Sequence, residues 1–317
     1  MLPFVARRLV QVGLTLLLLA VAAFAVLRTA PGGPAAVLLG PDHYTPEREA
    51  QIDRTLGLDQ PLPFQLVRWL GALATGDLGY SYFHKRPASE VVGERLGPTV
   101  VLGLVAWTIS LVGGVALGAW AGLRRGGFVD RVVTSGAVLG LSTPSFWLGI
   151  VLIVVFAAWL QVLPSAGLAS LGYEDSLANK LWHLALPAAT LATAHLASLA
   201  LYARAAVLDV LGEDFVRTAR AKGLAERLVA RRHVLRAAAI PITTIAALNL
   251  AHLLEGSIVV ETVFAWPGIG HLTVSSVARR DYPVLMVIAL LAGAIVVVVN
   301  LATDVVYRRL DPRVGLD

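Results

Sequence analysis

Six apolar runs constrain this chain more than any other feature: Leu9 to Leu27, Val100 to Leu123, Val132 to Leu160, Leu184 to Leu208, Ala237 to Phe264, and Val284 to Val306. Each has about the length a helix needs to cross a bilayer, roughly 20 residues. A chain in hydrocarbon must satisfy its backbone internally, so such runs fold as helices. The expectation is an all-α membrane protein with six transmembrane helices. Composition agrees: 57% of residues are hydrophobic and only 15% charged, where a soluble domain carries about a quarter charged residues. No cysteine is present, so disulfides, thiolate metal sites and cysteine nucleophiles are excluded.

The first run follows Arg7 and Arg8 and contains Ala23-Phe24-Ala25, which looks like a signal-peptidase site. It is longer than the roughly 7–15 apolar residues of a secretory signal, so it reads as a retained helix. Cations then set the orientation. Arg7 and Arg8, the group Arg124, Arg125 and Arg131, the stretch after the fourth run, and Arg308, Arg309 and Arg313 all fall on one side if six helices alternate. The opposite short loops hold only Lys180, Arg279 and Arg280. Both termini are expected in the cytoplasm, and the excess of cations (formal net charge +5) is read as membrane orientation, with no nucleic-acid partner.

Three regions follow: an N-terminal helix (1–28), an extracytoplasmic insertion (29–97) with helix-like stretches at Glu47 to Leu56 and Phe64 to Leu73, and a core membrane domain (98–317). Pro144 and Pro187 predict kinks, with Ser142, Thr143 and Ser145 available to satisfy freed backbone groups. Gly113, Gly114 and Gly118 have small-residue spacing suited to close helix contact. No Gly-x-Ser-x-Gly, His-Glu-x-x-His or phosphate-loop pattern occurs, so energised work would need a nucleotide on another subunit.

Ionisable residues inside predicted spans usually face a bundle interior or an aqueous path. His195, His252 and Glu255 qualify, with Asn249 nearby, as candidates for lining a translocation path. His252 and Glu255 are three apart on one helical face. They serve equally as a structural pair, and two ligands make a poor metal site, so no metal is expected. Arg204 reads as snorkelling to the interface.

The longest charged interruption, Glu213 to Pro241, has seven cations against three anions. Gly212 suits a helix end, and Glu213 and Asp214 suit a helix start. Gly223 permits a sharp turn, and Leu224, Leu228 and Leu235 share a helical face. Two short helices joined at Gly223 are expected. Composition leaves open whether this segment grips a partner or lies on anionic headgroups.

Arg217 to Gly223 (RTARAKG) followed by Arg231 to Arg236 (RRHVLR) resembles the EAA-type coupling segment of ABC importer permeases, in the dipeptide/oligopeptide/nickel branch. The resemblance continues in chain order through Leu27 to Gly32, Leu56 to Pro61 (LGLDQP), Gly76 to Ser81 (GDLGYS), Pro144 to Trp147, Val260 to Gly268, Arg280 to Pro283 (RDYP) and Leu310 to Arg313. It departs from the general importer pattern at Arg217, where Glu is usual, and at Arg236, where Pro is usual. Glu255 stands where a small residue is expected.

The resemblance implies a type I ABC importer permease fold and a non-enzymatic transport subunit in a prokaryotic inner membrane. Implied partners are a second, different permease subunit, two ATPase subunits and an extracytoplasmic binding protein. ATP and Mg would sit on the ATPases, with no cofactor on this chain. The coupling segment (212–236) would engage an ATPase through Arg217, Thr218, Ala219, Ala221, Lys222, Gly223, Leu224, Glu226, Arg232 and His233. Peptides are the implied cargo, with nickel chelates as the alternative. A passive channel or an intramembrane enzyme is the reading of another class.

Overall fold

Helix-forming, apolar sequence gives an all-helical chain in the computed structural model, which describes residues 2–29, 38–39 and 45–310, with side chains described at 11–26, 38–39, 45–247, 249, 257–299 and 301. The chain divides into two compact units, one of residues 1–97 and 268–298, the other of residues 98–267 and 299–317.

In the first unit, α1 (Leu2–Thr29) is followed by α2 (Pro46–Leu56) and α3 (Leu62–Ala74). Thr45 caps α2 by accepting the Arg48 N–H, Pro46 fits the first turn, and Glu47 and Glu49 favour the electropositive end. Gly57 closes the helix at φ +68°, a left-handed conformation that glycine adopts without strain. Trp69 of α3 stacks on Phe24 of α1 at 5.9 Å. The start of α4 (Ala88–Leu123), with α11 (Ile269–Ala278) and α12 (Tyr282–Leu310), supplies the buried cluster of Ala88, Val91, Val92, Leu272, Val284, Val287 and Ile288.

The second unit holds the rest of α4, then α5 (Phe128–Ser142), α6 (Ser145–Leu152) running into a π-helical turn (Ile153–Trp159), α7 (Leu177–Leu211), α8 (Asp214–Ala221), α9 (Glu226–Val229), a second π turn (Ala230–Val234) and α10 (Leu235–Val263). Three helices are long and apolar enough to cross a membrane: Ala88–Leu123, Leu177–Leu211 and Tyr282–Val299. A fourth crossing results if α5 and α6 are one broken span. These counts are made among the described residues.

The break between α5 and α6 is sharper than the expected kink. The two arms meet at 103°. Proline disfavours helical geometry in the residue before it, and Thr143 is extended at φ −90°, ψ 119°. Its hydroxyl turns back to donate to Leu139 O at 2.7 Å. Pro187 and Pro241, in contrast, lie inside continuous helices.

Glycines at every fourth residue bring α4 against α7. A Cβ at Gly114 would lie 2.8 Å from Leu196 O, one at Gly118 2.2 Å from Ala200 O, and one at Gly122 2.8 Å from Val207 Cγ1. The close face is therefore Gly114, Gly118 and Gly122. Gly113 sits beside it, where a Cβ would meet only the flexible end of Leu196. Gly118→Val should destabilise the fold by about 1–3 kcal/mol through overpacking. Gly103→Ala, where nothing lies within 4 Å, should be neutral. Thermal unfolding of the purified chain in detergent distinguishes the two.

Candidate functional site

The basic segment folds as two short helices around Gly223. α7 ends at Gly212, whose N–H donates to Asp209 O, and Asp214 occupies the first turn of α8. Lys222 closes α8, and Gly223 turns the chain at φ +76°. Across that turn Arg220 grips Glu226 with two hydrogen bonds, 2.8 Å and 3.2 Å long. Arg217 pairs with Asp214 one turn back. Both ion pairs are exposed, so their role is to shape the turn and their contribution to stability is small.

The segment has two faces. Val216, Ala219, Val229 and Val234 are buried with Ala119 of α4, Ala203, Ala206 and Val207 of α7, and Ala238 and Ile242 of α10. Arg217, Thr218, Ala221, Lys222, Gly223, Glu226 and Arg232 are exposed, while Leu224 and His233 are half-buried. Phe215 adds an exposed aromatic ring beside the cations. Of the ten residues expected to engage a partner, Ala219 alone is buried: it seats α8 on the bundle, and its small side chain lets the helix lie close.

The leucine face read from the sequence is not the one that packs deepest. Leu228 and Leu235 are half-buried like Leu224, whereas Val229 and Val234, five residues apart, are fully buried. The π turn at Ala230–Val234 hydrogen-bonds at i→i+5, so α-helical spacing fails there.

Arg204 does not snorkel. Its Nε donates to Asp130 Oδ1 at 2.5 Å and its Nη2 to Oδ2 at 3.0 Å. Asp130, buried in the first turn of α5, also accepts from Gly126 N at 2.8 Å and Thr134 Oγ1 at 3.4 Å. One carboxylate thus fastens α5, the preceding turn and α7, because a bidentate guanidinium pair is worth more in apolar surroundings than a reach to water.

Of the path candidates, His195 on α7 and Asn249 on α10 are both partly buried, and no donor hydrogen bond is found for Asn249 Nδ2 among the described residues. The backbone of His252 and Glu255 belongs to α10, while their side chains lie outside the described residues.

Two distant motifs lock each unit. In the second, Glu261 is fully buried and accepts from Thr99 Oγ1 at 2.8 Å, and Trp266 Nε1 donates to Pro98 O at 3.0 Å. Phe264 O accepts from Gly167 N at 2.9 Å. Buried His183 holds the same loop, with Nδ1 2.9 Å from Ala166 O and Nε2 3.1 Å from Ser170 Oγ. In the first unit, buried Asp281 accepts from Ser81 Oγ at 2.5 Å, Tyr82 N at 3.0 Å and Phe83 N at 3.3 Å. The Arg279 guanidinium stands 3.6 Å over the Phe83 ring, a cation–π contact. The sequences GDLGYS and RDYP, two hundred residues apart, are one structure.

The family described as "binding-protein-dependent transport system inner membrane component" matches residues 114–316, and its N-terminal counterpart matches residues 1–103. This chain belongs to that family. The permease is 38% identical over 315 residues to the oligopeptide transport system permease protein AppB of Bacillus subtilis, covering 99% of each chain. It is 37% identical over 311 residues to a probable peptide ABC transporter permease protein, y4tP, of Sinorhizobium fredii, covering 98% of each. Among solved structures it resembles an inward-facing methionine ABC transporter, MetNI, at TM-score 0.56 and 18% identity, covering 70% of this chain and 96% of that one. An amino acid ABC transporter is similar at TM-score 0.53 and 17% identity, covering 70% and 94%. At that identity the likeness shows the fold, that of type I ABC permeases. The permease is a multi-pass inner-membrane transport component.

Sequence reading missed Asp130, His183 and the partnership of Asp281 with Ser81. Asp130 had one signal: a lone acid among Arg124, Arg125 and Arg131. Removing only the cation should be severe, since it strands a buried carboxylate. Arg204→Met is expected to cost about 3–5 kcal/mol, and Asp130→Asn in the same chain should recover part of it. Chemical denaturation of the two variants measures the difference.

Proposed function

We propose that this permease is one of two different membrane subunits of an ATP-driven importer that carries peptides released by an extracytoplasmic binding protein. Its six spans would place both termini in the cytoplasm, with 1–28 as the first span, 29–97 as an extracytoplasmic helical insertion and 98–317 as the core. Two ATPase subunits would hold ATP and Mg, and this chain would bind no cofactor and catalyse no reaction. The peptide cargo rests on the similarity to oligopeptide and peptide permeases; neither of these relatives favours nickel chelates.

One observation carries the drive mechanism: the two-faced α8–Gly223–α9 element in a chain with no nucleotide-binding motif. Val216 and Ala219 fix the element to α4 and α7, while Arg217, Thr218, Ala221, Lys222, Glu226 and Arg232 face away. A groove on an ATPase that moved this element would move the bundle with it. Alternating access then needs two packed arrangements of similar energy, and His195, Asn249, His252 and Glu255 are proposed to line the path.

Peptide uptake into vesicles that also contain the partner subunits should require ATP and the binding protein; flux without ATP would point to a passive channel. Gly223→Pro forces a φ near −65° where +76° is needed, and Ala219→Asp puts a carboxylate into the apolar seat. Both variants should insert normally and keep ATP hydrolysis while peptide uptake falls by about an order of magnitude. Wild-type uptake by both would remove the coupling role from this segment.

A further inference from the structure

The three motifs of the first unit, LGLDQP, GDLGYS and RDYP, converge on one cavity of about 350 Å³. Its walls include Trp69, Tyr80, Tyr82 and Tyr282, and Thr55, Gln65 and Arg68 bring further polar groups. Two of these polar groups are built in yet unused. Gln65 is more than nine-tenths buried, and its amide orientation is fixed because Nε2 donates to Leu58 O at 2.9 Å and Gln60 O at 2.7 Å. Its Oε1 then accepts nothing among the described residues, although a buried polar atom without a partner is costly. Arg68 Nη1 lies 2.9 Å from where a Cβ at Gly57 would stand, so the guanidinium rests beside the turn that Gly57 makes at φ +68°. That guanidinium is exposed and has no ion pair among the described residues.

We propose that this cavity is a docking pocket for an acidic side chain of the extracytoplasmic binding protein, its carboxylate on Arg68, an adjoining N–H on Gln65 Oε1 and its apolar stem against the aromatic walls. The proposal rests on the importer reading and on the orientation given with it. An arginine beside aromatic side chains, at the edge of a pocket holding an unpaired acceptor, has the composition of an interface hot spot. The unsatisfied acceptor specifies a donor that bulk apolar contact does not supply. LGLDQP fixes Gln65 through Leu58 O and Gln60 O, residues of GDLGYS and RDYP line the same cavity, and Asp281 holds those two motifs together. The external segment thereby offers its partner a preformed socket.

The test is ATP hydrolysis by the complete transporter in lipid nanodiscs, titrated with its own binding protein. Arg68→Glu should raise the half-saturating concentration of binding protein about tenfold, because a like charge now faces the carboxylate. Arg68→Lys should recover most of that loss. Arg54→Glu, the same charge change at an exposed residue outside the cavity, should titrate as wild type. Superimposable curves for Arg68→Glu and wild type would overturn the proposal. So would an unchanged binding-protein curve with a weakened dependence on peptide concentration, which would assign the pocket to free cargo. Wild-type transporter that no amount of binding protein stimulates would sink the importer reading itself, a result distinct from failure of the pocket alone.

Discussion

The close approach of α4 and α7 sets the terms for everything built on the second unit. Gly114, Gly118 and Gly122 remove one row of side chains, so backbone meets backbone where Ala200, Ala203 and Val207 face them. In hydrocarbon, helices gain little from hiding apolar surface, and dense packing of small residues is the main attraction left to them. That pair then forms the floor on which Val216 and Ala219 rest. Asp130 and Arg204 fasten α5 to it with a charged bond that apolar surroundings strengthen. A looser α4–α7 contact would leave the basic element without a fixed seat.

Much of this was legible in the sequence, and the misses have physical causes. Apolar run length revealed the helices, and cap chemistry placed the ends at Gly212 and Gly223, because both signals are local. The break at Thr143–Pro144 was legible as a defect but not as an angle of 103°, since neighbouring side chains decide how far a freed backbone opens. Arg204 was misread because its partner lies 74 residues away, and sequence distance hides ion pairs. The leucine face failed at the π turn, where one extra residue per turn changes which side chains are buried. Ala219 was recognised as important, but its burial shows that its part is to hold the segment in place.

The two units solve a similar problem with different chemistry. The first ties its loops through one buried carboxylate, Asp281, accepting from Ser81, Tyr82 and Phe83. The second ties its loops through Trp266, Phe264 O and both nitrogens of His183. Apart from the His183 contacts, these ties join residues far apart in sequence, which explains why the family resemblance is carried by short scattered motifs. Those motifs are halves of contacts, and each half is uninformative until its partner is in place.

Gly223 and Gly118 are both indispensable glycines, yet they answer to different demands. A Cβ at Gly118 has no room, whereas at Gly223 nothing lies within 4 Å of one. The demand at Gly223 is therefore one of handedness alone: its positive φ is the natural region of a D-amino acid. D-alanine placed there by chemical synthesis would fit the turn and make it more rigid, while at Gly118 an L side chain of any size runs into the facing Ala200 backbone. The coupling turn is thus a chirality filter, and the helix crossing is a volume filter.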